Sequence, residues 1–164
     1  MVASVRGTNE VPGEGRVRTY QGSDRQAGVV HVIDSGVIDH ADFTDGGAAV
    51  GTVDILPAIP ANSIVLGAQV DVIEAFAGEA AAVIQVGYAS GDLDAVSPNT
   101  DPDLANLTAS HILCGFNPVD LGNGDSAIEA PTTVRVTITT TDDWTHVTAG
   151  KIRVRVMYLH LPQD

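Results

Sequence analysis

The clearest structural signal in the chain is the segment KIRVRVMY at residues 151–158. Apolar side chains occupy every second position of this segment, and basic side chains fall between them. The apolar members are Ile152, Val154, Val156 and Tyr158, and the basic members are Lys151, Arg153 and Arg155. An alternation with period two predicts a β-strand with one buried face and one face in solvent.

The same alternation appears in three segments upstream, at residues 63–76, 80–89 and 134–139. The predicted buried positions are Ile64, Leu66, Ala68, Val70 and Val72 in the first, Ala82, Ile84, Val86 and Tyr88 in the second, and Val134, Val136 and Ile138 in the third. The chain contains 22 valines, 11 isoleucines and 14 threonines. Such β-branched side chains favour strands over helices.

Residues typical of turns separate these segments. They are Pro57, Pro60 and Asn62 before residue 63, Gly78 after residue 76, the pair Asn123-Gly124, and residues 142–150, which are predicted to close a final hairpin. Residues 90–106 contain glycine, proline and asparagine and cannot continue a strand, although a short helical turn fits Leu104–His111. We therefore predict an all-β fold, an antiparallel β-sandwich of the jelly-roll type.

The charge of the chain excludes some classes of partner. There are 21 acidic and 8 basic side chains, which give a net charge of −13. A surface of this sign repels phosphate backbones, so we predict no binding to nucleic acid. No apolar run reaches the roughly 18 residues that span a bilayer, and the N-terminus lacks the apolar stretch of a signal peptide, so we predict no membrane association.

The first 27 residues differ in composition from the rest. They hold half of all the basic side chains, Arg6, Arg16, Arg18 and Arg25, together with glycine and proline and without hydrophobic periodicity. Such a segment does not form a core of its own. We predict an extended N-terminal arm over residues 1–27 and a β-sandwich domain over residues 28–164. The arm is either a frayed terminus or an extended segment that lies across a neighbouring subunit or an acidic partner surface. In the second case its four arginines are interface residues.

The sequence contains few residues or motifs typical of a catalytic site. The single cysteine, Cys114, lies in the apolar run ILCGF, where a thiol is typically buried and inert. No nucleophile elbow or phosphate-binding loop occurs, and the adjacent Asp142 and Asp143 point apart in extended backbone. His31 and His40 are the closest histidines and would meet only if a turn placed them on adjacent strands. We predict no catalytic, metal or cofactor site and no enzymatic activity.

Three features remain open to more than one interpretation. Residues 91–103 contain enough oxygen donors for Ca²⁺, but their spacing does not match a calcium-binding loop, and a solvated loop is the favoured interpretation. Trp144 is either an exposed platform on which a sugar could stack or a lid over the hairpin end, which we favour. Lys151, Arg153 and Arg155 form either a cross-strand ion-pair ladder or an interface, and the two roles are compatible.

Three stretches carry a resemblance to a known family. They are LPAIPANSIVLGAQVDVIEAF at 56–76, IQVGYASGD at 84–92 and THVTAGKIRVRVMY at 145–158. Together they resemble the small β-sandwich structural proteins of tailed bacteriophages, above all capsid decoration (cement) proteins. The resemblance rests on pattern without a diagnostic motif.

The resemblance implies a non-enzymatic virion protein on the outside of the capsid. Such proteins bind the major capsid protein as a homo-oligomer, often a trimer, and reinforce the expanded shell. The arm over residues 1–27 would suit contacts between neighbouring subunits. The alternative is a carbohydrate- or receptor-binding β-sandwich module of a phage tail or fibre, which would use Trp144 and calcium.

Overall fold

A computed structural model describes residues 30–96, 103–106, 111–114 and 128–161. Within these ranges the chain forms eight strands and no α-helix. The strands are β1 (Val30–Asp39), β2 (Thr44–Asp45), β3 (Val50–Ile59), β4 (Ser63–Ala77), β5 (Ala82–Tyr88), β6 (His111–Cys114), β7 (Thr132–Thr140) and β8 (Ala149–His160). Three short 3₁₀ turns cover His40–Asp42, Leu104–Asn106 and Trp144–His146.

The strands form two antiparallel sheets with a nested order of pairing. The first sheet has the order β1-β8-β4-β6 and the second has the order β2-β3-β7-β5. The pairs β1–β8, β3–β7 and β4–β6 are nested, since each one closes inside the preceding pair along the chain. This order is that of a jelly roll, in which a folded-over ribbon of strands forms both sheets. The prediction of an antiparallel β-sandwich is confirmed.

The core consists of the inward faces of both sheets. In β5, β7 and β8 the predicted inward positions are confirmed, because these residues other than the terminal tyrosines are buried. Thr137, which alternates with them in β7, is also buried, at 2% exposure. The fully enclosed members are Ile84, Val86, Val134, Val136, Ile138, Ile152, Val154 and Val156, each with 0% exposure. Burial of one such side chain contributes about 1.5–3 kcal/mol, so these three strands supply much of the hydrophobic stabilisation.

Strand β4 departs from the predicted alternation over its first residues. Ala68, Val70 and Val72 are buried as predicted, but Ile64 is only half-buried and Leu66 is 38% exposed, whereas Ser63 is fully buried. The pairing of β4 with β8 shifts between Val65 and Gly67, so one extra residue enters β4 there. A bulge of this kind reverses the alternation, which a strict period of two cannot anticipate.

Several connections differ from the prediction. Pro57 does not end a strand, because β3 continues through it to Ile59 with a register shift. Residues 142–150 do not close a hairpin, since β7 and β8 belong to opposite sheets and the segment crosses between them. Of the predicted helical turn at Leu104–His111, the described residues show a 3₁₀ turn at Leu104–Asn106 and the start of β6 at His111.

Some predictions concern residues that the structure does not describe. The arm over residues 1–27, with Arg6, Arg16, Arg18 and Arg25, lies outside the described residues, as does the turn pair Asn123-Gly124. In the part of the chain that is described, no helix has the length and apolar character needed to cross a bilayer.

Candidate interaction surface

The basic residues of β8 lie on the outward side of the first sheet, between acidic residues of both neighbouring strands. Because β8 is central, each of its outward side chains has β1 on one side and β4 on the other. Arg155 lies opposite Asp34 of β1, and Arg153 lies opposite Asp71 of β4. The resulting ion-pair ladder consists of Asp34, Asp39, Asp71 and Glu74 with Lys151, Arg153 and Arg155. We call the outward side of β1, β8 and β4 the ladder face.

Two of the three cations are held from both sides. The Nε atom of Arg155 lies 3.1 Å from Asp34 Oδ2, and its Nη1 atom lies 2.6 Å from Asp71 Oδ2. Lys151 Nζ lies 3.0 Å from Glu74 Oε2 and 3.5 Å from Asp39 Oδ2. These contacts tie β1 to β8 and β8 to β4, so the predicted cross-strand ladder is confirmed, whereas its role as an interface remains a prediction.

The third cation of the ladder, Arg153, is less well paired. Its Nε atom lies 3.6 Å from Asp34 Oδ1, which is beyond hydrogen-bonding distance. This Nε atom is buried and has no hydrogen-bond partner within the described residues. Arg153 is therefore the cation of the ladder with the weakest pairing.

The ladder shifts the ionisation of its members. The pKa of Asp34 is lowered because the backbone N–H of Gly36 donates to its carboxylate, at 2.8 Å from Asp34 Oδ1, and because Arg155 and Arg153 are close. The pKa of Lys151 is raised, mainly by its hydrogen bond to Glu74. Most of these side chains are a third or more exposed, so each pair adds little stability.

The lowered pKa of Asp34 predicts a small acid-dependent loss of stability. A carboxylate with a depressed folded-state pKa stabilises the fold above its unfolded pKa of about 3.9, and this stability is lost as the pH falls through the folded-state value. We expect Asp34→Asn to lower the melting temperature at pH 7 by about 1–2 °C and to flatten its decline below pH 4. Thermal melts from pH 2 to pH 7 measure both effects. Equal slopes for the variant and the wild type would contradict the assignment, and 1 M NaCl should reduce the difference.

The outward side of the second sheet holds the remaining described cation. Arg135 donates to Asp54 through Nε and Nη2, at 2.6 Å from Oδ1 and 3.0 Å from Oδ2. This fork-to-carboxylate geometry lowers the pKa of Asp54, mainly through the hydrogen bond from Arg135. It is an isolated pair, so the second sheet has no counterpart to the ladder within the described residues.

Trp144 is part of the core at one end of the sandwich. It is 6% exposed, and its ring centroid lies 5.2 Å from that of Phe43 and 6.4 Å from that of Phe76. Gly51 lies directly beneath the indole, with no room for a Cβ. The interpretation of Trp144 as an exposed sugar-binding platform is wrong. The ring is covered by protein, as the lid interpretation requires, but the segment that carries it crosses between the sheets and is not a hairpin end.

A carboxylate fixes the segment that carries this tryptophan. Glu79 Oε2 accepts a hydrogen bond from the backbone N–H of Asp142 at 2.9 Å, and Glu79 Oε1 lies 3.0 Å from His146 Nδ1. Asp143 caps the 3₁₀ turn by accepting from the N–H of Thr145. These polar contacts hold the crossing between the sheets and have a structural role.

The histidines do not come together. His31 lies near the start of β1, and His40 directly follows its last residue, so the adjacent-strand arrangement is wrong and about 30 Å of strand separates the two. His31 stacks on Tyr158, with ring centroids 5.2 Å apart. His160 Nδ1 lies 3.2 Å from the hydroxyl of Ser63, but Ser63 is fully buried. Within the described residues no group of three potential metal ligands occurs.

The acidic segment is described only in part. Asp103 Oδ1 accepts from the backbone N–H of Ala82 at 2.8 Å and of Ala105 at 3.0 Å, so this carboxylate attaches the segment to β5. Asn99 and Asp101 lie outside the described residues, as does the side chain of Cys114. Calcium binding by residues 91–103 stays untested.

Sequence reasoning did not identify the acidic members of the ladder. Asp71 was recognisable as a polar position of an alternating strand, but Asp34 and Asp39 lie in β1, which the sequence did not single out. The segment VHVIDSGVID of β1 has apolar residues on both faces and a bulge at residues 34–37. Pairing register also cannot be obtained from one strand alone.

The fold and this surface define a class: a jelly-roll β-sandwich with a charged ladder on one outer face. No protein-family model and no curated protein sequence matches the chain. Among solved structures, the chain is similar to a chain of the cyanophage Pam1 capsid asymmetric unit. That similarity has a TM-score of 0.51 and 20% sequence identity, and it covers 93% of this chain and 100% of the other. At this identity the similarity shows a shared fold.

Proposed function

We propose that this chain is a non-enzymatic virion structural protein that binds the outside of a bacteriophage capsid as a homo-oligomer and stabilises the shell. The observation that carries the proposal is the fold shared with the whole length of a chain from the cyanophage Pam1 capsid. The resemblance of residues 56–76, 84–92 and 145–158 to capsid decoration proteins supports the same class.

The described residues also fit a protein that acts by binding. Several of their carboxylates have structural roles: Glu79 and Asp143 fix a crossing segment, and Asp103 attaches a loop. An exposed Trp144 was the feature that favoured a sugar-binding module of a tail or fibre, and Trp144 is buried. The ladder face is then the most prominent outer feature of the first sheet.

Stabilisation of a shell follows from linkage. A protein that binds only an assembled capsid shifts the equilibrium toward the assembled state by an amount that grows with its concentration relative to its dissociation constant. Several weak contacts made by one oligomer reinforce one another through effective concentration. The major capsid protein is the partner in this mechanism.

Co-sedimentation of the purified protein with capsids of its source phage tests the proposal, with and without EDTA. Saturable binding at a fixed ratio to the shell subunit is the expected result. Binding that is insensitive to EDTA would make residues 91–103 incidental to attachment. Absence of capsid binding under both conditions would contradict the proposed function.

We expect deletion of residues 1–27 to weaken capsid attachment and to leave the sandwich folded. The arm holds four of the eight basic residues and, by composition, adds no core. Capsid occupancy is measured by co-sedimentation, and folding by the thermal melt of the truncated protein. Equal occupancy for the truncated and full-length proteins would contradict the arm as an attachment element.

A further inference from the structure

Strand β1 contributes little to the core for its length. Two of its ten residues, Ile33 and Ile38, are buried, whereas β5, the long edge strand of the second sheet, buries four of its seven. Three valines of β1 are already 50–55% exposed. Detachment of β1 would therefore bring only two more apolar side chains of this strand into water. A segment with few buried apolar side chains opens at a lower free energy than the core strands do.

The backbone of β1 is also paired on one side only. It pairs with β8, and no second backbone partner occurs for it within the described residues. The edge of β5 is different, because the following loop bonds to it. Tyr88 N donates to Asp92 O at 2.6 Å, and Val96 N donates to Val86 O at 3.0 Å. Release of β1 therefore breaks a single ladder of hydrogen bonds.

That ladder is interrupted in its middle. The register shifts between Asp34 and Val37, so Ser35 and Gly36 both lie opposite Val154. The backbone N–H of Val154 donates to the Ser35 hydroxyl at 2.9 Å, where regular pairing would supply a backbone carbonyl. A bulge of this kind leaves the ladder locally disrupted. Strand β1 is thus attached to β8 by two short runs of pairs and a side-chain hydroxyl.

The ion pairs between β1 and β8 add little to this attachment. Asp34 pairs with Arg155 and Asp39 pairs with Lys151, and the four side chains are 30–45% exposed. Exposed pairs of this kind contribute little to stability and are screened by salt. The ladder of charges therefore does not compensate for the small buried area of the strand.

We propose that β1 is a releasable strand, which detaches from β8 in a local opening while the second sheet and the pairing of β8 with β4 stay intact. Release uncovers the edge of β8 together with the two apolar sites that Ile33 and Ile38 occupy. A strand edge of this kind can receive an extended chain. The inference goes beyond the proposed function and does not rest on it, because it concerns the isolated protein.

Hydrogen exchange of the full-length protein, measured at single amides under native conditions, tests the inference. Successive N–H groups of a strand point to opposite sides, so the Val154 N–H faces β1 and the Arg155 N–H faces β4. We expect the protection of Val154 and of the β1 amides to be about 100-fold lower than that of Arg155 and of the β7 amides. Equal protection of Val154 and Arg155 would overturn the inference.

Two matched substitutions separate release of β1 from unfolding of the whole domain. Ile33→Val and Ile84→Val each remove one methylene group from a buried isoleucine, the first in β1 and the second in β5. Ile84→Val should speed exchange in β5 and β7 by about 2- to 10-fold, because it destabilises the folded domain. It should leave exchange in β1 and at Val154 unchanged, because the contacts of Ile84 persist when β1 is released. Ile33→Val should speed exchange in all of these strands, because its contacts are lost in both kinds of opening.

Two outcomes of this comparison would overturn the inference. If Ile84→Val speeds exchange in β1 as much as in β7, then β1 opens only when the whole domain unfolds. If Ile33→Val leaves exchange in β1 unchanged, then the β1 amides exchange by a smaller fluctuation that does not withdraw Ile33. The proposed function is tested separately, by binding of the wild type to capsids, so a failure of one leaves the other standing.

Discussion

Replacement of Gly78 by alanine should destabilise the fold by at least about 4 kcal/mol or prevent folding. Gly78 has a φ of +103°, and a Cβ at this position would overlap the backbone carbonyl oxygen of His146. That oxygen belongs to the 3₁₀ turn that carries Trp144 and cannot move like the end of a flexible side chain. Two effects therefore combine: the strain of a left-handed conformation and a collision between backbone segments.

Gly47 provides a matched control for this prediction. Its φ of +97° is close to that of Gly78, but a Cβ there has no heavy atom within 4 Å. Gly47→Ala should therefore cost only the conformational strain, about 1–2 kcal/mol. Denaturant unfolding of both variants gives the difference, which isolates the collision. Equal losses for Gly78→Ala and Gly47→Ala would show that the crossing segment adjusts freely.

Truncation of the buried indole should have an effect of similar size. We expect Trp144→Ala to lower the free energy of unfolding by about 3–5 kcal/mol, because it removes a buried aromatic ring and leaves a cavity beside Phe43 and Phe76. This corresponds to a drop in melting temperature on the order of 10 °C. Calorimetry or denaturant unfolding measures the loss.

Leu56→Ala is the control for the indole, because Leu56 is large, apolar and 71% exposed. Its effect should stay within about 0.5 kcal/mol. A loss below about 1.5 kcal/mol for Trp144→Ala would mean that the end of the sandwich does not depend on the aromatic cluster. Because the indole of Trp144 is already covered by protein, we expect no ligand to bind to it and so no shift of the melting temperature from such binding.

The fold class was predictable because several strands present one face to the core and one to solvent. In β8 the alternation from Lys151 to Tyr158 gives both the strand and its buried face. Strand β1 was missed for the opposite reason: Val30 and Val32 point outward while Ile33 points inward, so the pattern is apolar on both sides. The bulges in β1 and β4 also interrupt the period of two, so the alternation cannot be followed from one end of either strand to the other.

The basic members of the candidate surface were predictable from the sequence, but their acidic partners were not. Lys151, Arg153 and Arg155 stand out because they are three of the four basic residues in residues 28–164. Their partners depend on which strands flank β8, and that is a property of topology. The nested pairing brings Asp34 next to Arg155 across 121 residues of sequence, a separation that no local pattern contains. The crossing of residues 142–150 between sheets was mistaken for a hairpin for the same reason.

The central place of β8 has a consequence for how the protein is made. The first sheet cannot close until β8 is inserted between β1 and β4, and β8 ends at His160. During translation, β1 and β4 therefore leave the ribosome without their shared neighbour and expose apolar faces that the finished protein buries. Long-range pairing of this kind is slow relative to local folding. We expect the nascent chain to be a substrate for chaperones until its last strand emerges, and to reach its native form only after synthesis has passed residue 160.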